Sequence, residues 1–280
     1  MALSIHTNYS ALTTNTALNK SNNSLATNQQ RLGTGLRVNS AADDAAGLQI
    51  ATRLNAQSRG MSVAMRNVGD ATSMLQTAEG AFSEVTDILQ RMKDLSTQAA
   101  NDTNGATDRT SLKSEYDELG KELTNIVSNT KYAGEALFAA GGKFSAAVNF
   151  QIGASAAEKL TMDVATDMAA LRTELTTTVQ AGTMDTAANA GTTITALETA
   201  LNNVGSMRAK FGANINRLNH TSNNLANMKD NTDMAKGRIM DADFAIESAN
   251  MSKNSMLMQS GISMLKQAGQ MPGMVMGLLG

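Results

Sequence analysis

The chain has 280 residues, a formal net charge of −2, no cysteine and no tryptophan. A charge so close to zero does not indicate binding to nucleic acid or to an anionic membrane, and the lack of cysteine excludes disulfides and cysteine-based catalysis or metal binding. Hydrophobic residues make up 42% of the chain but aromatic residues only 3%. We therefore predict a mainly α-helical protein, a long-helix bundle or coiled coil whose core consists of aliphatic side chains and methionine.

Large apolar residues recur every seven positions near both ends of the chain. The first series is Leu18, Leu25 and Leu32, and the second is Phe244, Met251, Met258 and Leu265. This spacing keeps an apolar stripe on one side of a helix, and the stripe needs another helix to cover it. We predict that the two ends pair as a coiled coil and that these seven residues form its interfaces.

The segment after the first stripe predicts one long helix, from about residue 43 to residue 100. Apolar residues step by three and four without a break from residue 61 to residue 92, which is a heptad pattern of more than four repeats. The polar residues 101–108 interrupt the period and predict a turn. The spacing resumes over residues 112–126 and predicts an antiparallel return helix.

A different period begins near residue 144. Apolar residues then alternate in two runs separated by GASAAE, which predicts short strands joined in β-hairpins within about residues 131–165. Residues of about 166–193 are rich in Thr, Ala and Gly with weak patterning, and we expect this segment to be exposed.

Helical spacing returns between residues 194 and 225, with Arg208 and Ser222 as interruptions, and predicts a helix that packs on the first long one. Pro272, the only proline, is expected to limit the terminal helix. These patterns predict two parts. Residues 1–42 with 241–280 form a terminal coiled-coil domain, and residues 43–240 form a helical rod domain with the hairpins.

Five stretches carry a specific resemblance to bacterial flagellin. They are MALSIHTNYSALTTNTALNKS, LGTGLRVNSAADDAAGLQIA, LQRMKDLSTQAANDTN, RIMDADFAIESANMSK and MLKQAGQMPGMVMGLLG. They span both terminal thirds of the chain in the order and at the spacing of that family. The resemblance implies that the paired ends form the inner tube of a filament and that the outer variable domains are absent, because the middle of the chain is short.

The resemblance implies a structural function and several partners. A flagellin polymerises with itself into the flagellar filament for motility, and it meets an export chaperone, a filament cap protein and hook-junction proteins. It implies an extracellular location, reached by flagellar export without a cleaved signal peptide. The opening residues also lack a basic leader with an apolar run, and no stretch is long enough to span a membrane. A flagellin-like protein of the hook-filament junction is the alternative.

The resemblance also places three residues where flagellins contact an innate Toll-like receptor: Arg91, Leu95 and Glu115. Arg91 and Leu95 are four residues apart on the predicted long helix, a spacing that puts both side chains on one face. The alternative interpretation is that Arg91 is a solvated or subunit-contacting charge.

No pattern in the sequence indicates an enzyme or a bound cofactor. The two histidines, His6 and His220, lie on different predicted helices, and HExxH, GxSxG and Walker-type motifs are absent. Asp241, Asp243 and Glu247 form an acidic cluster, which we expect to complement the dipole at a helix start. We predict no catalytic, metal-binding or cofactor-binding residues.

Seven of the nineteen methionines lie after residue 250. They either replace leucine at seam positions or provide flexible contacts to changing partners, first a chaperone and then neighbouring subunits.

Overall fold

The computed structural model describes the backbone of residues 7–279 and the side chains of residues 7–270. This described part is mainly α-helical, as predicted. Its helices are α1 (Tyr9–Thr34), α2 (Ala45–Ala99), α3 (Ala106–Asn129), α4 (Ala165–Thr173), α5 (Ala187–Met240) and α6 (Phe244–Leu279). Its strands form two antiparallel pairs, β1 (Lys131–Tyr132) with β2 (Glu135–Ala136) and β3 (Val148–Gln151) with β4 (Lys159–Met162).

The chain divides into two compact units. The first comprises Met1–Gln57 and Asp230–Gly280, and the second comprises Ser58–Lys229. Our sequence boundary at residue 240 coincides with the end of α5 and that at residue 42 lies in the segment before α2, whereas this division falls inside α2 and α5. The difference arises because the hydrophobic core of the second unit begins at Met61 and ends at Leu225, so the outer turns of both helices do not contribute to it.

In the first unit, α1 and α6 pack against each other in antiparallel orientation. Asn8 begins α1, since its side-chain oxygen accepts a hydrogen bond from the Ala11 N–H at 3.0 Å. Gly35 ends α1 in the left-handed conformation, with φ of 71°. The segment beyond it bonds to the residues before α6, because the Ala242 N–H donates to the Gly35 carbonyl at 3.0 Å.

The expectation that Pro272 limits the terminal helix is wrong, because α6 continues through it to Leu279. Proline has no N–H, so the carbonyl of Ala268, four residues earlier, lacks its usual helical donor. The side-chain amide of Asn8 donates to that carbonyl at 2.7 Å. A residue at the start of α1 therefore satisfies the acceptor that proline leaves open.

The core of the second unit is built from the predicted seams of α2 and α5, closed by α3. Apolar residues of α2 at the three-four spacing are almost fully buried from Met61 to Ala99, and α5 buries a matching series from Ala190 to Leu225. Arg208, which interrupts the α5 series, donates to Glu79 of α2 at 3.1 and 2.7 Å. The interruption is thus an ion pair between the two helices.

The predicted hairpin region contains both strand pairs. In the longer pair, Val148 lies opposite Met162 and Phe150 opposite Leu160. Phe144 precedes this pair in a short 3-10 turn, not in a strand, and is fully buried. The hairpin is joined to α2, where Asn67 donates its side-chain amide to the Gln151 carbonyl at 3.2 Å.

The expectation of an exposed segment over residues 166–193 is wrong. This segment folds into α4, a π-helical stretch (Glu174–Val179) and the first turns of α5. Its large apolar residues are almost completely buried: Met168, Leu171, Leu175, Val179 and Met184. The first four follow a three-four spacing, so they form one apolar face that covers the core. We call residues 165–184 the cap segment.

Tyr116 of α3 anchors the cap segment. Its side chain is fully buried, and its hydroxyl donates to the carbonyl of Val179 at 2.6 Å. Burial raises the pKa of Tyr116 above its ordinary value, with a smaller contribution from the nearby charge of Asp117. The phenol therefore stays neutral and keeps its donor.

Four of the six phenylalanines form one cluster in the second unit: Phe82, Phe138, Phe144 and Phe211. Their ring centroids are 4.6 to 6.1 Å apart. Phe82 belongs to α2 and Phe211 to α5, whereas the other two come from the segment between β2 and β3. The cluster attaches this irregular segment to the long helices.

We predict that Phe138→Ala lowers the free energy of unfolding of the second unit by about 3 to 5 kcal/mol, because it leaves a cavity among packed rings. Urea unfolding followed by circular dichroism measures this change. Val63→Ala is the matched control, because Val63 is 45% exposed on α2, and its effect should stay within about 0.5 kcal/mol. Equal effects of the two substitutions would contradict the assigned role of the cluster.

Candidate assembly surface

The contact between α1 and α6 consists of two rows of residues on each helix. One row is apolar and half-buried: Leu18, Leu25 and Leu32 on α1, with Met251, Met258 and Leu265 on α6. The helices approach closely here, because a Cβ added to Gly261 would lie 2.8 Å from Leu18 Cδ1. The structure thus places six of the seven predicted seam residues at the heptad positions that face the partner helix.

Phe244, the seventh predicted seam residue, does not lie on the seam. It is 64% exposed in the first turn of α6. The heptad series continues along α6 to this residue, but α1 ends at Thr34 and offers no further helical turn opposite it. A sequence period alone does not reveal where the partner helix stops.

The second row of the seam is polar or small, which the search for apolar heptads missed. On α1 it contains Thr14, Ser21 and Asn28, and on α6 it contains Glu247, Asn254, Gly261 and Ala268. Each of these residues is buried or half-buried. The row is detectable in the sequence as a second seven-residue period.

Four side chains of this region form a polar layer: Asn28, Arg31, Glu247 and Asn254. Arg31 Nη1 donates to Glu247 Oε1 at 3.0 Å. In the amide orientation that satisfies both of its polar atoms, Asn28 donates to Glu247 Oε2 at 3.1 Å and accepts from the Asn254 amide at 3.1 Å. Asn28 and Glu247 are each only 7% exposed. The layer is therefore a charged contact between the two helices in which Asn28 and Glu247 are buried and Arg31 and Asn254 are half-buried.

Glu247 lies in the first turn of α6, as expected of a residue that complements the helix dipole. Its carboxylate nevertheless accepts a hydrogen bond from Arg31 across the seam. Asp243 caps the helix instead, since its Oδ1 accepts hydrogen bonds from the N–H groups of Ala245 at 2.9 Å and Ile246 at 3.1 Å.

Away from the seam, α6 presents large apolar side chains to solvent. We call them the outer apolar face: Phe244, Ile246, Met256, Leu257, Ile262 and Met264, each at least 43% exposed. Tyr9 and Leu12 are similarly exposed on α1. Large apolar side chains exposed in this number on one helix indicate a surface available for interaction.

The C-terminal methionines occupy two different environments. Met251 and Met258 occupy seam positions, whereas Met256 and Met264 belong to the outer apolar face. The side chains of Met271, Met274 and Met276 lie outside the described residues.

The residues that resemble receptor contacts are not all accessible. Arg91 donates from Nε and Nη2 to Glu115 Oε1 at 2.9 and 2.6 Å, and about half of each side chain is exposed. Leu95 is only 2% exposed and belongs to the core. The expectation that Leu95 forms an apolar contact beside Arg91 is wrong for the folded unit, because it continues the buried stripe of α2.

The described residues contain no group of three or more potential metal ligands among His, Asp and Glu. His220 is exposed on α5, and His6 lies outside the described residues. Among the helices of the described part, none combines the length and the apolar character that crossing a bilayer requires.

Paired chain ends together with exposed large apolar side chains are typical of self-assembling structural proteins. Comparison with known proteins specifies the family. The model of the bacterial flagellin N-terminal helical region matches residues 5–143, and that of the bacterial flagellin C-terminal helical region matches residues 194–279. The chain belongs to the bacterial flagellin family. It is a structural filament subunit of the bacterial flagellum, not an enzyme.

Individual relatives agree with this assignment. The chain is 35% identical to flagellin A of Vibrio anguillarum over 381 aligned positions and 33% identical to polar flagellin C of Vibrio parahaemolyticus over 386, with all of both chains covered. A crystal structure of Bacillus cereus flagellin matches at a TM-score of 0.50 and 35% identity, covering 57% of this chain and 88% of that one. The hook-junction alternative has no support from these comparisons.

The alignments also show that this chain is shorter than these relatives. They extend over 381 or more positions, against the 280 residues of this chain, so the relatives carry residues without a counterpart here. Residues 144–193 lie between the two family matches. This agrees with the expectation of a flagellin that lacks the outer variable domains.

Proposed function

We propose that the paired α1 and α6 helices form the inner layer of the filament and that the outer apolar face is covered there by neighbouring copies of this chain. The observation that supports this proposal is the apolar exposure of α6, where Phe244, Met256 and Met264 are each more than 60% exposed. Such a surface loses water contact when subunits stack, and burial of each large side chain contributes roughly 1.5 to 3 kcal/mol. Packing of α1 against α6 along the seam keeps the side chains of the outer apolar face in position.

We propose that the same surface also binds transient partners. Before assembly, the outer apolar face needs protection, and an export chaperone on the C-terminal segment provides it. After export, the filament cap and the hook-junction proteins meet the same helices at the ends of the polymer. These partners are proposed from family membership together with the exposed residues of α6.

We predict that Leu25→Asp blocks polymerisation, because it places an unpaired carboxylate in the half-buried apolar row of the seam. Sedimentation after seeding and negative-stain microscopy measure polymerisation. Circular dichroism of the monomer should still show the folded second unit. Leu25→Met is the matched control, since it retains an apolar side chain of similar volume and should polymerise. Normal filaments from Leu25→Asp would refute the seam assignment.

We further propose that α1 and α6 gain most of their helical order on assembly. Residues of α1 have modest helix propensity, with many Asn, Thr and Ser, and α1 has no acid in its first turn. Ordering costs roughly 1 to 2 kcal/mol per residue in backbone entropy, which a weakly patterned helix pair in dilute solution does not offset. Weakly ordered ends also favour passage through a narrow export channel and delay premature assembly.

Hydrogen exchange of monomer and filament tests this second proposal. Amides of residues 9–34 and 245–268 should exchange rapidly in the dilute monomer and slowly in the filament, because only the filament covers both faces of the helices. Amides of residues 61–92 in α2 are the internal control and should be protected in both states. Strong protection of the two terminal segments in the monomer would overturn the proposal.

The innate Toll-like receptor remains a proposed partner through Arg91 and Glu115. Both side chains are about half exposed and already oriented by their ion pair. Such a pair contributes at most about 1 kcal/mol to stability. It is therefore available to exchange partners, whereas Leu95 acts only by supporting the helix from within the core.

We predict that Arg91→Ala lowers receptor activation by monomers about tenfold or more, since charged anchors dominate many interfaces. The unfolding free energy should change little. Lys93→Ala is the matched control, because Lys93 forms a comparable exposed pair with Glu198 at 2.9 Å. An unchanged potency of the Arg91 variant would count against the receptor contact.

A further inference from the structure

We propose that the polar layer of Asn28, Arg31, Glu247 and Asn254 determines the register in which α1 pairs with α6. The inference rests on the proposed assembly role of this pair, but it concerns a different property, namely which turn of one helix meets which turn of the other.

The apolar row of the seam does not specify a unique register. Leu18, Leu25 and Leu32 repeat at seven residues, and so do Met251, Met258 and Leu265. A slip of one heptad therefore places leucine opposite leucine or methionine again. Repeating apolar seams of this kind have several pairings of similar stability.

The polar layer removes this ambiguity, because Glu247 is the only acidic residue of either helix. The sequence of α1 carries two cations, Lys20 and Arg31, and that of α6 carries Lys253 and Lys266 besides Glu247. Only the observed register brings Glu247 to Arg31 at 3.0 Å. A slip of one heptad toward the start of α1 places the carboxylate near Ser21 and Ser24, without a cation in the seam.

Hydrogen bonding makes the layer more selective than the ion pair alone. Asn28 contacts both Glu247 and Asn254, so two successive heptad positions of α6 must be aligned with one residue of α1. A single buried asparagine at such a position is known to specify coiled-coil register at the expense of stability.

The layer is not arranged for maximal stability. Arg31 Nε is buried without a hydrogen-bond acceptor in the described part of the chain. Apolar residues of similar size avoid this loss, and such replacements of buried ion pairs are often neutral or stabilising. A contact that sacrifices stability in this way is explained by selectivity.

The absence of cysteine in the chain allows a direct test of register. Leu18→Cys with Gly261→Cys reports the observed register, because a Cβ at position 261 lies against the side chain at position 18. Ala11→Cys with Gly261→Cys reports a slip of one heptad toward the start of α1, because residue 11 then takes the place of residue 18. Each pair is introduced into the full-length chain, oxidised in dilute monomer and in filaments, and intrachain crosslinks are quantified by gel mobility and peptide mass spectrometry.

The crosslinks are compared between the native layer and an apolar-layer variant carrying Asn28→Leu, Arg31→Met, Glu247→Leu and Asn254→Leu. With the native layer, the 18–261 crosslink should exceed the 11–261 crosslink by about tenfold or more, and the apolar-layer variant should reduce this ratio to within about threefold. Helix content should not fall. The matched control, Thr14→Leu with Ser21→Leu, enlarges the same row without touching the layer and should keep the native ratio.

An unchanged crosslink ratio in the apolar-layer variant would overturn the proposal, and so would a native chain that does not favour the 18–261 pair in either state. Sedimentation is recorded separately for every variant. A chain that keeps its register preference but never polymerises would refute the assembly function and leave the register assignment intact.

Discussion

The antiparallel pairing of the two chain ends is the contact on which the first unit depends. It joins residues that are 216 positions apart in the case of Arg31 and Glu247. Helices owe most of their stability in proteins to tertiary packing, and each of these two helices buries its seam against the other. The same pairing leaves the outer apolar face of α6 uncovered and so creates the need for assembly.

Much of the fold is predictable from the sequence because long seams repeat one simple rule. The α2 helix was expected over residues 43–100 and spans Ala45–Ala99, and the hairpin with β3 and β4 lies within the expected range. Periodicity does not reveal burial where small residues separate the large apolar ones. The cap segment has its apolar residues at a helical spacing, but threonine and alanine between them dilute the pattern.

The candidate site was predictable only in its apolar half. Seven-residue spacing identified Leu18 and Met251, whereas Asn28 and Glu247 belong to an equally regular row that an apolar search passes over. Leu95 shows a different limit. Its spacing fits both the exposed side of α2 near Arg91, four residues away, and the buried stripe that includes Met92, three residues away. Packing against the rest of the core places Leu95 in the buried stripe.

The cap segment allows the second unit to complete its core with its own residues. Met168, Leu171 and Val179 cover one side of the bundle, and Tyr116 holds this segment in place by its hydrogen bond to the Val179 carbonyl. Extra domains at the neighbouring exposed turns are then not needed for the body to fold. Since loop-closure entropy rises only logarithmically with length, an insert between Asp185 and Thr186, which are both exposed, adds little strain. The chain is therefore suited as a display scaffold, with foreign epitopes carried on a body whose own hydrophobic packing is already complete.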